Sequence, residues 1–162
     1  MLPNPLKYAT WLAVLRIYAG VFWLTHGIPK LLNPQFFGPD GNMVDIIRNS
    51  TSNGASGPYV NFLVHVVLPN ATLFSHLVAW GETLAGVSLL LGLLTPVGAI
   101  VGMFLAFNYF MMKGSYAHIT SLGGLDFAAI MLSFINVALP TGLVAGFDGV
   151  MWRTRRPAAG KS

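Results

Sequence analysis

Four apolar stretches run along the chain, at about residues 8–32, 73–95, 96–112 and 125–147. A helix needs about 20 apolar residues to cross a bilayer, and these stretches reach or approach that length. The pattern predicts an all-α integral membrane protein. Its expected form is a four-helix bundle, one domain over residues 1–162, with a long loop between helices 1 and 2. Pro29 lacks an amide donor and so ends or kinks the first helix. Lys30, next to it, can snorkel to the interface. Thr95-Pro96 makes a tight turn, with Pro96 suited to the first position of the third helix. Gly98 and Gly102, and again Gly142 and Gly146, have the four-residue spacing of close helix packing.

The connection from Asn33 to Thr72 is rich in Gly, Pro, Asn and Ser. Within it, Asn42–Arg48 can form a short amphipathic turn of helix. Tyr59–Leu68 is apolar but too short to span, which predicts an interfacial or re-entrant helix. Asn70-Ala-Thr72 matches a glycosylation sequon and is read as a chance match.

One charge stands out in this pattern. Glu82 lies nearly halfway along the second stretch, LFSHLVAWGETLAGVSLLLGLLT. A carboxylate at that depth costs roughly 3 kcal/mol or more unless it is paired, protonated or wetted. Ala79, Gly81, Ala85 and Gly86 around it allow neighbouring helices to approach closely. At about 1.5 Å rise per residue, Arg16 and Glu82 each lie roughly 14 Å from their helix ends. The count predicts that they pair near the midplane, with Asn108 and Asn136 in the same layer. Two readings follow. The four can be a buried pair with hydrogen-bonding neighbours that fixes helix register. They can equally line a ligand pocket or a proton path.

A second layer is expected nearer the outer surface. Arg16, Gly20, Trp23, His26 or Gly27, and Lys30 recur at three- and four-residue spacing and share a helix face. His76 falls at similar height, Asp126 opens the fourth helix there, and His118 lies in the adjacent loop. Histidine titrates near neutrality and suits proton exchange. A quinone head group needs such donors and an aromatic surface, for which Trp23, Trp80, Phe107 and Tyr109 are available. The alternative is that His, Trp and Tyr here are ordinary interface anchors. No HxxH or HExxH pattern occurs, so no metal site is expected.

Composition agrees with the pattern. Of 162 residues, 54% are hydrophobic and 9% charged, against about 25% charged in a soluble domain. The chain has no cysteine, which removes thiolate nucleophiles, disulfides and Cys-ligated clusters. The net charge of +4 owes much to Arg153, Arg155 and Arg156, a cluster of the kind that flanks cytoplasmic helix ends, and is no sign of nucleic acid. Lys7 shares that side in a four-span topology, while Lys30, Arg48 and Lys113 fall on the other. Both termini are therefore expected in the cytoplasm. The first stretch, with Arg16 inside it and no small-residue cleavage motif, does not read as a cleavable signal peptide. Neither a hydrolase triad nor a phosphate-binding glycine loop is present.

Three motifs carry a family resemblance. They are Leu15-Arg-Ile-Tyr-Ala-Gly-Val-Phe-Trp-Leu-Thr-His-Gly-Ile-Pro-Lys30-Leu, then Gly81-Glu-Thr-Leu-Ala-Gly-Val-Ser-Leu-Leu-Leu-Gly92 with its Thr-Pro, and Gly146-Phe-Asp148. With these the chain resembles the DoxX/DoxD family of small bacterial and archaeal membrane proteins. The resemblance implies a four-helix bundle in the cytoplasmic (inner) membrane. For the DoxD branch it implies the membrane subunit of a thiosulfate:quinone oxidoreductase, with a DoxA-like second subunit and a terminal quinol oxidase as partners. It singles out Arg16, His26, Lys30, Glu82 and Asp148. On this basis Glu82, Arg16 and His26 are the catalytic candidates. Trp23, His76, Trp80, Asn108 and Asn136 are candidates for contact with quinone, the expected electron acceptor. Lys30, Lys113, His118 and Asp126 are candidates for substrate binding, with Arg48 adding positive charge. Membrane lipid is an expected partner, and a homo-oligomer stays open. The main alternative is a non-catalytic accessory or assembly subunit of a respiratory complex; a small transporter or lipid-binding protein is a third reading.

Overall fold

A computed structural model describes residues 5–53, 57–117, 120, 122 and 124–155, and no strand occurs among them. The helices are α1 (Pro5–Leu32), α2 (Asn42–Asn53), α3 (Pro58–Phe62), α4 (Ala71–Leu91), α5 (Thr95–Met112), α6 (Leu125–Ala138) and α7 (Phe147–Arg155). α1, α4, α5 and α6 form the bundle. α1 packs along α4, α4 along α5, and α5 along α6, whereas α1 and α6 touch over a much smaller area. Three helical tracts, Tyr8–Leu32, Pro58–Leu91 and Thr95–Met112, are long and apolar enough to cross a membrane. α6 is apolar but shorter, with 14 residues. The chain is thus a multi-pass membrane protein.

Glycines set the register of the central pair. A Cβ on Gly20 would lie 2.5 Å from the backbone nitrogen of Leu90, one on Gly86 2.8 Å from that of Leu24, and one on Gly27 2.6 Å from that of Thr83. The two antiparallel helices therefore meet backbone to backbone at successive turns, as small residues permit in a bilayer. Outward, Trp11, Tyr18, Leu77, Trp80, Leu84, Phe104 and Phe134 are exposed, the composition of a lipid-facing surface.

The connection between the first two spans is mostly helical. α2 runs on to Asn53, past the expected turn, and Met43, Val44 and Ile47 in its first half form a buried stripe facing the bundle. The segment from Tyr59 to Leu68 is not a separate re-entrant helix. It stacks directly on α4, so that Pro58–Leu91 is one tract of 34 residues. Pro69 explains the irregularity at the join. It has no amide to give, and the helix accommodates it by widening to a π-turn at Leu63–Val67 and tightening to a 3-10 turn at Leu68–Asn70.

The fourth stretch is also different from expectation. Its helix stops at Ala138 instead of running to Phe147. Pro140 disfavours helical backbone in the residue before it, and Leu139 is extended, with φ −115° and ψ 146°. A short 3-10 turn, Thr141–Leu143, follows. Non-helical backbone is tolerated at membrane depth where protein groups satisfy it, and this segment has such a group in Arg16.

The apolar interior falls into two clusters. One holds Ala19, Trp23, Ala85, Leu89, Ala99 and Ala106. The other lies at the end where α2 packs and holds Phe36, Met43, Ile47, Leu63, Val67 and Met112. Val78 and Tyr109 border both.

Candidate functional site

Where the two clusters meet, three polar side chains from three helices close on one another. Glu82 of α4 is fully buried. Its carboxylate accepts hydrogen bonds from the ammonium of Lys30 of α1, at 2.5 and 2.6 Å. The hydroxyl of Tyr109 of α5 donates to the same carboxylate at 2.6 Å and accepts from Lys30 at 2.8 Å. Lys30 thus uses all three of its ammonium protons. Its nitrogen also stands 5.1 Å from the centre of the Tyr109 ring and 5.7 Å from that of Phe36, within cation–π range. The burial of Glu82 is compensated by a full set of charge-assisted bonds, as a charge in an apolar interior requires. Lys30 retains 21% exposure, so the cluster is not wholly sealed.

Two further polar contacts surround this cluster. Lys113, at the end of α5, holds both carboxylate oxygens of Asp126, at the start of α6, at 2.9 Å. The hydroxyl of Tyr59 of α3 donates to Asn108, at 3.0 Å to its side-chain oxygen and 3.1 Å to its carbonyl. Asn108 also donates to the Phe104 carbonyl of its own helix.

Arg16 does not pair with Glu82. It is fully buried at the opposite end of the bundle, where its guanidinium donates to the carbonyls of Leu89 at 2.9 Å and Ala145 at 2.8 Å. Longer contacts reach Leu90 and Val144. The glycine register accounts for this. Gly20 faces Leu90, so Arg16, one turn earlier, comes opposite the C-terminal end of α4. The carbonyls there have no partner within the helix and carry the negative end of its dipole. Arg16 caps them and binds the unwound segment after Pro140 at the same time. Asp148 completes this end. Its carboxylate accepts from the amides of Leu94 at 2.7 Å and Thr95 at 2.9 Å, which cap the start of α5. Gly92, with φ +64°, must be glycine for a second reason: a Cβ there would fall on the Arg16 guanidinium.

The expected single polar layer is therefore two layers. Asn136 belongs with Arg16 and not with Glu82. It donates to the Leu132 carbonyl and accepts from Thr141 at 2.8 Å, which ties α6 to the turn after its break. Asn108 lies toward the Lys30 end.

The quinone-contact candidates are not brought to one surface. Trp23 is buried in the core against Gly102, while Trp80 faces outward. His76 is exposed, donates from Nδ1 to the Thr72 carbonyl at 2.7 Å and packs its ring on Phe37. His26 is exposed too, donates from Nδ1 to the Phe22 carbonyl at 2.7 Å and packs on Phe22. His118 lies outside the described residues. Sequence reasoning placed Tyr109 among possible aromatic surfaces and missed it as a partner of Glu82. Tyr59 was missed altogether, because its helix reads as interfacial. Among the described residues, no three His, Cys, Asp or Glu side chains come together as metal ligands would.

The DoxX family model matches residues 11–114. That range contains Arg16, Lys30, Glu82 and Tyr109, and ends before α6 and α7. No curated protein and no solved structure matches the chain.

Proposed function

We propose, for a chain that belongs to the DoxX family, the role of membrane subunit in a quinone-linked oxidoreductase, with thiosulfate as the electron source. The observation that carries this reading is the Lys30–Glu82–Tyr109 cluster. Intramembrane charged groups mark functional positions by default. Reducing a quinone to a quinol takes two electrons and two protons, and the apolar interior supplies no protons of its own. Glu82 and Tyr109 are a hydrogen-bonded carboxylate and phenol, able to pass a proton between them. Lys30 and Tyr109 are donors of the type a quinone carbonyl oxygen accepts. The electrons come, in this reading, from thiosulfate oxidised with a DoxA-like partner. Lys30 and Lys113 both hold carboxylates, so their support for anion capture is weaker than their charge alone implies. The inner membrane, with both termini cytoplasmic, is the placement the basic tail favours.

A second reading is favoured by one feature of the same cluster. Every proton of Lys30 is already engaged, as in a self-satisfied structural pair, and this fits an accessory subunit of a respiratory complex. Quinone reduction by membranes given thiosulfate separates the two. Membranes holding this chain and a DoxA-like partner should reduce quinone, and the Glu82→Gln variant, present at equal folded amount, should not. Full activity in that variant would leave the accessory role.

A further inference from the structure

The end of the molecule that carries Arg16 has a surface the proposed function does not use. α7 lies against Leu143 with a groove on each side. The larger groove, about 490 Å³, runs past Asp148 and Trp152. The smaller, about 320 Å³, is lined by Leu91, Leu143, Phe147 and Val150, with Arg153 as its one charged residue. These four apolar side chains are exposed.

We infer that the smaller groove is a binding site for one anionic phospholipid. An acyl chain would lie along Leu91, Leu143, Phe147 and Val150, and the phosphate would sit on Arg153. Charge complementarity selects this occupant. From Phe147 to the end of the sequence there are four basic residues, Arg153, Arg155, Arg156 and Lys161, against one acidic residue, Asp148. Asp148 is engaged by the amides of Leu94 and Thr95 and does not neutralise them. Arg153 forms no ion pair among the described residues. The same argument separates the two grooves, since a carboxylate lines the larger one and disfavours a phosphate there. A short amphipathic helix with aromatic and basic side chains is also the form that lies in a headgroup layer. The seat is rigid, because Gly149 packs on the Leu143 carbonyl and Arg16 holds the neighbouring carbonyl of Ala145.

The test uses the purified full chain in detergent, titrated with dioleoyl-phosphatidylglycerol or dioleoyl-phosphatidylcholine and read by native mass spectrometry. The wild-type chain should retain one phosphatidylglycerol in preference to phosphatidylcholine. Arg153→Gln should weaken phosphatidylglycerol retention roughly fivefold, the effect of one basic contact to an anionic headgroup. Val150→Trp, which fills the groove and keeps the charge, should weaken it as well. Circular dichroism confirms that both variants stay folded. Glycerol 3-phosphate, the headgroup chemistry without a chain, should not compete at millimolar concentration. Equal retention of the two lipids would overturn the proposal. So would a preference that survives Arg153→Gln, or one lost with Arg153 but indifferent to Val150→Trp, which would mean surface charge without a groove.

Discussion

Glu82 takes its charge partner from Lys30, two hydrogen bonds at 2.5 and 2.6 Å, across 52 residues of sequence. Removing Lys30 leaves Glu82 as an unpaired buried charge, and removing Glu82 leaves Lys30 as an unpaired, largely covered one. Glu82→Leu and Lys30→Met should each lower stability by about 3–5 kcal/mol, measured by unfolding in detergent. The double variant should recover most of the loss, because an apolar pair of similar size fits the same space. Glu82 and Arg16 should show no coupling in a double-mutant cycle. Seven residues of helix, roughly 10 Å, separate Glu82 from the Leu89 carbonyl that Arg16 binds.

Tyr109 completes the cluster through its hydroxyl alone. Tyr109→Phe keeps the ring and the packing, and should cost about 1 kcal/mol of stability. If the cluster exchanges protons with quinone, turnover should fall far more than stability does. Stopped-flow quinone reduction beside a thermal melt reads both. Turnover that falls only in proportion to folded protein would argue against proton exchange.

Arg16 joins two elements with one planar fork. Arg16→Met removes the bonds to both carbonyls, leaving Leu89 only the 3.3 Å bond from the Gly92 amide, and should destabilise the chain by about 3 kcal/mol. Arg16→Lys should restore only part of this, since an ammonium cannot address two carbonyl groups in the fixed geometry of a guanidinium. A chemical denaturation series of the three proteins checks the order.

Glycine positions on α4 should separate sharply. Gly86→Ala puts a Cβ 2.8 Å from the Leu24 backbone nitrogen and should cost about 1–3 kcal/mol by forcing α1 away. Gly81→Ala meets no backbone, only side chains, the nearest being Leu105 at 3.3 Å, which can turn aside, and should be nearly neutral. Comparing their melting temperatures tests the register of the α1–α4 pair.

Much of this architecture is legible from hydropathy. The four apolar stretches, the turn at Thr95-Pro96 and the need of Glu82 for a partner all follow from the solvent cost of burying polar groups. The partner itself does not follow. Counting depth from helix ends assumes that the ends are level, and Pro58–Leu91 has no end at Leu73. What sets the register is contact at Gly20, Gly27 and Gly86, and this depends on which residue each glycine meets. Prolines do not announce their outcome: Pro29 stays inside α1, which runs on to Leu32, while α6 stops before Pro140 within a stretch that reads as one span. The outcomes at Pro69 and Pro140 differ because Pro69 falls in a helix that can absorb it, while Pro140 falls where Arg16 satisfies the open backbone. The triad escaped notice because Tyr109 supplies a polar atom at the tip of a ring that reads as apolar.

The dispersed ligands of Arg16 impose an order on synthesis. The side chain enters the membrane with the first helix, while its acceptors lie 73 and 129 residues later in the chain. At about 5–20 residues per second, the last of them follows after roughly 6–26 s. Until then a guanidinium must be hydrated or held by the insertion machinery. A message truncated before Pro140 would yield a chain that keeps three long apolar helices yet never closes around its arginine. Arg16 therefore gains its full set of acceptors only when the unwound segment after Pro140 has joined the bundle.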